Sequence, residues 1–568
     1  MRAAILAILS VVILAGCAQT PSSPAASSPA AQETPPDPNR TLVVAIRVEP
    51  STLTTRPLRQ AGVGLYLPSR SFNGQIALLD DQSNVRPYLV ETLPQLNTDN
   101  WRVFPDGRME TIYRLRPTIT WHDGEPFTAE DFVFGWRVYS TPGLGHSGLP
   151  PYNAIDEVQA LDRQTFVIRW RQPYPDTSFV AGLNVEFPPL PRHILERALV
   201  PDQIEAFANH PFWTREYVGL GPFKLDRWES GAFLEGAAFD AHIWGRPKIG
   251  RIKLSFIGDA NTAMANVLSG DVQLTDGTSI GLPETAILKR QWAPQNGDFV
   301  LHPNQWRAAN FQMRPDFVTP RALQDPRVRK ALAHAVDKSI LNETLYDGDG
   351  ILADGVVPPM SIWGPAAERG AIKYPYDLRR SEQLMAEAGF ARGADGQYAN
   401  VDGRFTFEVK TNAAADNEAE VTVLASGWRQ SGFDANEAVL PSALAQNPEA
   451  RATFVGMFTN SQNLGESALL GLSSNAIPRA ENRWSGGNRG GWSNAEFDRV
   501  LEAFTSTLGR GEREQQLAQL VRVHTEDLPS ISLFFRAQPW AYANALRGPK
   551  LVPPEGNMSW NIQEWELR

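Results

Sequence analysis

The sequence predicts a mixed α/β protein of several domains. Three observations carry this expectation. Short apolar runs with strand character, first "TLVVAI" at Thr41–Ile46, recur between turn signals. Longer stretches repeat apolar residues at helical spacing behind N-cap residues, as in "DPRVRKALAHAV" from Asp325. From residue 41 onward the chain is long enough for roughly three or four average domains.

The amino-terminal end sets the compartment. "MRAAILAILSVVILAGCAQT" has one arginine, an apolar run from Ala3 to Ala15, then small residues and Cys17, the single cysteine. That run is well short of the roughly 20 residues a bilayer-spanning helix needs, so residues 1–17 read as an export signal. Leu14-Ala15-Gly16-Cys17 resembles the bacterial lipoprotein box, which implies a lipidated Cys17 at the head of the mature chain. Residues 18–40, rich in Ser, Pro and Ala without an apolar period, are expected to be a disordered tether. The net charge of -10 disfavours nucleic acid and anionic membrane faces as partners, since both require basic patches. With Cys17 committed to lipid, no disulfide is available within the chain, and packed cores must supply the stability.

"TWHDGEPFTAEDFVFGW", Thr120 to Trp136, crowds His122 and four carboxylates together, a density that suggests acid/base or metal chemistry. Architecture accounts for most of it. Asp123-Gly124 is a turn signal after the strand-like run through Tyr113, Leu115, Ile119 and Trp121. Thr128 reads as a helix N-cap with Asp131 at the third helical position, and Phe127 and Phe132 have the spacing of a hydrophobic staple. Glu130 and Asp131 in the first turn favour the positive end of the helix dipole. His122 alone has no such role and reads as a turn or surface residue.

The later helices read the same way. Asp325-Pro326 is a cap followed by proline where its missing N–H costs nothing, and Val328, Ala331, Leu332, Ala335 and Val336 form one buried stripe. Gly389 should end the helix carrying Leu384 and Met385 as a left-handed cap. Ser493 and Glu496 read as a capping box before Phe497, Val500 and Leu501.

These segments also carry a resemblance. "YRLRPTITWHDGEPFTAEDFVFGW" resembles a hallmark segment of solute-binding protein family 5, which serves peptide and nickel ABC importers. "VGLGPFKLDRWESG" from Val218, "DPRVRKALAHAVDKSIL", "YDLRRSEQLMAEAGF" from Tyr376, "GGWSNAEFDRVL" from Gly490 and "EDLPSISLFF" from Glu526 resemble its later motifs, in its order. The resemblance covers residues 41–568. It implies a two-lobe periplasmic-binding-protein-like α/β fold, with hinge strands between lobes and an extra subdomain in the first. Carried onto this chain, the first lobe takes residues 41–60, 195–275 and 530–568, the extra subdomain 61–194, and the second lobe 276–529. "SGDVQLTDGTSIG", residues 269–281, suits the first crossing.

The same resemblance implies a receptor outside the cytoplasm, without cofactor or metal. It would bind a peptide or peptide-like solute in the cleft and pass it to an ABC permease in the inner membrane, as a monomer held to membrane only through Cys17. In peptide-binding relatives a second-lobe aspartate meets the ligand ammonium; the matching stretch here, "VGMFTNSQNLGES", offers Asn460 or Glu466. Glu49-Pro50 is kept, but Thr54-Thr55 stand where relatives have Asp-Pro, leaving a sugar, an opine or a modified peptide open. Trp306 and Trp484 are candidates for stacking on the ligand, with Arg307 or Arg483 for a carboxylate. The alternative is a cleft-bearing hydrolase or a ligand sensor on the same body. Against an enzyme, Gly145-His146-Ser147-Gly148 fails as a nucleophile elbow at Leu149, and "WSGGNRGGW", residues 484–492, lacks the lysine of a phosphate loop.

Overall fold

The computed structural model describes residues 40–56, 58, 66–144, 146–179 and 186–568. The export signal, Cys17 and all but the last residue of the tether lie outside the described residues. Within them, one mixed sheet of 11 strands runs through both lobes. Its order is Asp434–Leu440, Thr406–Asn412, Met457–Gln462, Gly297–Phe311, Ser530–Ala543, Leu274–Thr275, Thr41–Ile46, Arg251–Phe256, Phe233–Ala238 and Phe223–Glu229, with Ile351–Leu352 added on Ser530–Ala543. Thr41–Ile46 lies between two parallel neighbours, and Leu42, Val44, Ala45 and Ile46 are fully buried, as a near-continuous apolar run requires.

The long antiparallel pair Gly297–Phe311 and Ser530–Ala543 joins the lobes, in register from Gly297 opposite Ala543 to Asn310 opposite Ser530. At one end Val300 and Trp540 belong to the first-lobe core with Leu42 and Ile252. At the other, Ala309, Phe311, Ile531 and Leu533 belong to the second-lobe core with Leu332 and Trp428. The change of core coincides with a bulge between Pro303 and Gln305. This corrects the expected crossing at residues 269–281. Leu274 is in the main first-lobe core, and Val272 and Ile280 pack with Ala263, Leu288 and Trp292 beside it. The chain makes two further helices, Leu282–Gln291 and Ala293–Asn296, before it crosses.

A separate four-stranded sheet, ordered Trp101–Val103, Met109–Arg114, Thr165–Trp170 and Ile155–Ala160, packs under the helix Ala129–Ser140 and shares the first-lobe core through Tyr113, Phe132 and Phe166. The staple is present, with the Phe127 and Phe132 rings 5.7 Å apart. The cap differs in detail. The Asp131 carboxylate accepts from the Thr128 backbone N–H at 2.8 Å and from the Thr128 hydroxyl at 3.3 Å, so the hydroxyl is turned to Asp131 and the carboxylate does the capping. His122 is buried, contrary to the surface reading. Its Nδ1 accepts from Gly219 N–H at 3.1 Å and its Nε2 meets Gly221 O at 2.9 Å, pinning this segment to the first lobe. A Cβ at Gly221 would stand 2.4 Å from the Phe72 carbonyl carbon, which is why glycine is needed there.

Asp325 caps Pro326–His334, accepting from Arg327 N–H at 2.8 Å, and Gly389 has φ +87. The last expected box is displaced by one residue. Asn494, not Ser493, caps Ala495–Ser506 by accepting from Phe497 N–H at 3.0 Å, and Glu496 reaches Gln519 at 2.6 Å instead.

Candidate functional site

Strand direction locates the cleft. Thr41–Ile46, Arg251–Phe256 and Leu274–Thr275 are mutually parallel and run toward the second lobe; Thr406–Asn412, Asp434–Leu440 and Met457–Gln462 are mutually parallel and run toward the first. Their carboxyl ends therefore converge over the crossing pair, where open α/β sheets place their binding loops. Buried polar atoms without a protein partner gather there. They are Asn304 Oδ1 at the bulge, Trp540 Nε1 on the return strand, and Asn412 Oδ1, Asn460 Nδ2 and Ser461 Oγ at or near the second-lobe strand ends. Buried polar groups are normally paired, so such a group marks where a solute or water completes the set.

Glu466, four residues past Gln462, lies in the first turn of the helix Gly465–Gly471. Its Oε1 accepts from Arg513 Nη2 at 3.1 Å, and its buried Oε2 has no partner. Burial raises its pKa above the usual carboxylate value; Arg513 opposes that, and Asp176 and Glu555 add to it. These neighbours come from three regions. Asp176 follows the small sheet, next to Tyr174, whose ring stacks 4.6 Å from that of Trp170 and whose hydroxyl is raised by burial and then by Asp176 and Glu466. Glu555 lies on the carboxyl-terminal segment and reaches the second lobe, accepting from the Ser361 hydroxyl and from Ile362 N–H. Burial also raises Glu555, and it lowers Arg513 before Glu466 and Asp176 oppose it. Arg513 is held by Phe504 O at 3.2 Å and lies over the Trp363 and Phe504 rings at 4.9 and 4.4 Å. Glu466 pairs with one fixed guanidinium and has Asp176 and Glu555 as negative neighbours, while Arg510, which acts on both Arg513 and Glu555, adds a second positive charge. Three carboxylates against two guanidinium groups leave a net negative site that favours a cationic ligand group.

The other sequence candidates stand differently. Arg307 is not available to a ligand carboxylate. It alternates onto the face under the helix Ala415–Gln430, where Glu420 accepts from it at 2.8 and 2.9 Å and Thr411 and Thr459 hydroxyls flank it at 3.2 and 3.1 Å. Trp306 is fully buried in the second-lobe core with its ring 5.8 Å from His524, although its Nε1 lacks a partner. Asn460, opposite Ala308, has Oδ1 bound to Asn310 Nδ2 at 2.8 Å, leaving Nδ2 as its free donor. Both Glu49 oxygens are used, by Trp228 Nε1 at 2.7 Å and Gly231 N–H at 2.8 Å, pinning the loop after the first strand to a hairpin. Arg483 is exposed and Trp484 half-buried, both at left-handed φ, with Trp484 6.4 Å from the Phe317 ring. Of the seven, the geometry brings Asn460 and Glu466 to the cleft end of one strand. Sequence reasoning missed Asp176, Glu555 and Arg513, because their only signal is meeting in space.

Among the described residues no three His, Cys, Asp or Glu side chains group to hold a metal ion, and no helix is long and apolar enough to cross a membrane.

A family model described as bacterial extracellular solute-binding proteins, family 5 Middle, matches residues 91–468. The oligopeptide-binding protein AppA of Bacillus subtilis (strain 168) is 24% identical over 513 residues, 86% of this chain and 84% of that protein. The dipeptide-binding protein of Escherichia coli (strain K12) is 26% identical over 326 residues, 54% of this chain and 56% of that one. Among solved structures, NikA from Brucella suis in complex with Fe(III)-EDTA superposes with TM-score 0.73 at 17% identity, covering 93% of this chain and 100% of that chain. AppA from Bacillus subtilis in complex with a nonapeptide superposes with TM-score 0.63 at 22% identity, covering 94% and 100%. At these identities the structures speak for the two-lobe fold.

Proposed function

The chain belongs to the bacterial extracellular solute-binding proteins of family 5, and from that premise we propose that it holds a peptide or peptide-like solute by a free amino group at Glu466. It is an extracytoplasmic receptor of an ABC importer, and its solute goes to a membrane permease. The observation that carries the solute reading is the unpaired, buried Glu466 Oε2 within a group of three carboxylates and two arginines. A bound ammonium supplies the missing charge-assisted hydrogen bond and offsets the cost of keeping the carboxylate ionised. Asn460 Nδ2, unpaired just before Glu466 in the chain, suits a carbonyl group of a peptide backbone. Anchoring through Cys17 belongs to the same reading, supported by the apolar run and Leu14-Ala15-Gly16-Cys17, and so does action as a monomer, which follows from the family resemblance alone.

Native mass spectrometry tests it. The purified protein is mixed with a pool of short synthetic peptides and, separately, with the same pool N-acetylated. Retention of free-amino peptides in one-to-one complexes, with the acetylated pool left unbound, is the expected result. Equal retention of both pools contradicts the role of Glu466, and release of cleaved peptides contradicts a receptor without turnover.

A further inference from the structure

The second lobe holds another group of charges that the ammonium reading does not use. Arg314 is its hub. Its Nη1 donates to Pro478 O at 3.0 Å, its Nη2 to Arg489 O at 2.8 Å and also to Ala452 O, and its Nε to Gln312 Oε1 at 3.1 Å. One guanidinium thereby ties the backbone at residue 452 to that at residue 489, bringing Arg451 and Arg489 together. The glycines of "WSGGNRGGW" allow the close approach. A Cβ on Gly490 would stand 2.4 Å from Phe311 O, and one on Gly491, at φ +75, would stand 2.5 Å from Arg314 Cγ.

Arg451 and Arg489 are both half-buried, and neither side chain pairs with a carboxylate or a protein acceptor among the described residues; Arg451 Nε is buried with no partner at all. Burial, and then the charge of Arg451, lowers Arg489 to about 10. Burial lowers Arg451, and burial and then Arg479 lower Arg314. Arg314 has its donors committed to carbonyls and Gln312, so it acts as scaffold. Two neighbouring guanidinium groups without a counter-charge repel each other, and each presents a planar fork that matches an oxyanion.

We propose that Arg451 and Arg489 form an oxyanion-binding site of the second lobe, taking a carboxylate or phosphate group. The site lies before the amino end of strand Met457–Gln462, whereas Glu466 follows its carboxyl end. The strand alone separates the two by roughly 20 Å at about 3.3 Å per residue, so they are different subsites. The amino end of that strand faces away from the cleft, so the anion taken here is separate from the solute held at Glu466.

The full-length protein is titrated with sodium phosphate at low ionic strength, by calorimetry and by thermal denaturation, alongside Arg451→Gln and Arg489→Gln. Phosphate is expected to bind the wild type and raise its Tm beyond the effect of sodium chloride at equal ionic strength. Each variant should lose about tenfold or more in phosphate affinity. In phosphate-free buffer neither variant should be less stable than wild type, because one of two repelling charges is gone. Phosphate and free-amino peptides are expected to bind independently, and direct competition between them would contradict a site at this end of the lobe. A phosphate effect no larger than that of chloride at equal ionic strength, or one identical in the wild type and both variants, overturns it.

Discussion

His122 and Glu466 are buried ionisable groups with opposite consequences. Burial lowers His122 to about 4 against an ordinary 6.5, with the Gly221 carbonyl opposing. The unfolded chain takes up that proton near pH 6.5 and the folded chain only near 4, so the stability His122 contributes is full above 6.5 and is lost as pH falls through this window, by up to about 3 kcal/mol. Glu186, raised by burial to about 7, titrates in the opposite sense, so the effect is read as a difference between proteins. Urea denaturation of wild type and His122→Asn should show the wild-type advantage shrinking from pH 7 to pH 4, while solute affinity at pH 7 is unchanged. Glu466 is raised above its ordinary 4.5, so affinity for an ammonium-bearing solute should begin to fall at a pH above 4.5 as the carboxylate is protonated. Calorimetric titrations from pH 8 to pH 5 check this. Neither role was legible from local sequence: His122 meets partners 97 and 99 residues away, and Arg513 is 47 residues from Glu466. Glu466 itself was legible as a candidate only because "VGMFTNSQNLGES" matched a known slot.

At the scale of elements, spacing was informative wherever the contact is local. The staple, the Asp325 cap and the Gly389 terminus depend on residues within a few positions, and their patterns hold. Asn494 displaced Ser493 as cap because its side chain also donates to Asp527 at 2.9 Å, a contact 33 residues away that no local pattern contains. The helix Ala129–Ser140 shows the same mixture. Asp131 accepts from Thr128 N–H and, at 3.1 Å, from Arg192 N–H, so it joins the helix start to the helix Arg192–Leu195. Asp131→Ala should therefore cost about 1–3 kcal/mol by leaving buried donors unpaired. Thr128→Ala should fall near or below the low end of the usual cap range of about 0.5–2 kcal/mol, because its hydroxyl caps no helix N–H. Equilibrium urea midpoints of the two variants give the ranking; equal losses would contradict it.

Across the whole molecule, motifs in the right order gave the two-lobe architecture, while the position of the hinge was not readable. Ser269–Gly281 has the Gly and Asp content of a connector, yet it packs in first-lobe cores, and the crossing is made by an ordinary-looking strand whose only irregularity is the bulge at Pro303–Gln305. Besides the crossing strands, Glu555 links the lobes through Ser361 and Ile362, and two ion pairs do so at the surface. Lys289 pairs with Asp349 and Arg290 with Asp347, from the helix Leu282–Gln291 to the turn after Lys338–Tyr346, and both pairs are substantially exposed. Exposed pairs contribute about 0–1 kcal/mol, so these two add little to closure, and a solute touching both lobes favours the closed form through its own contacts. The proposed contacts centre on Glu466, where Asp176 and Glu555 bring two other regions to the second lobe. The decisive measurement is a calorimetric titration, at pH 7, of wild type and Glu466→Gln with the free-amino peptide best retained by the wild type. Glutamine keeps the acceptor for Arg513 while removing the charge. One-to-one binding by the wild type and a loss of about ten- to a hundredfold in the variant, for a charge-assisted bond of roughly 1.5–3 kcal/mol, is the predicted result. Equal affinity in the two proteins would contradict the assignment of the ammonium site.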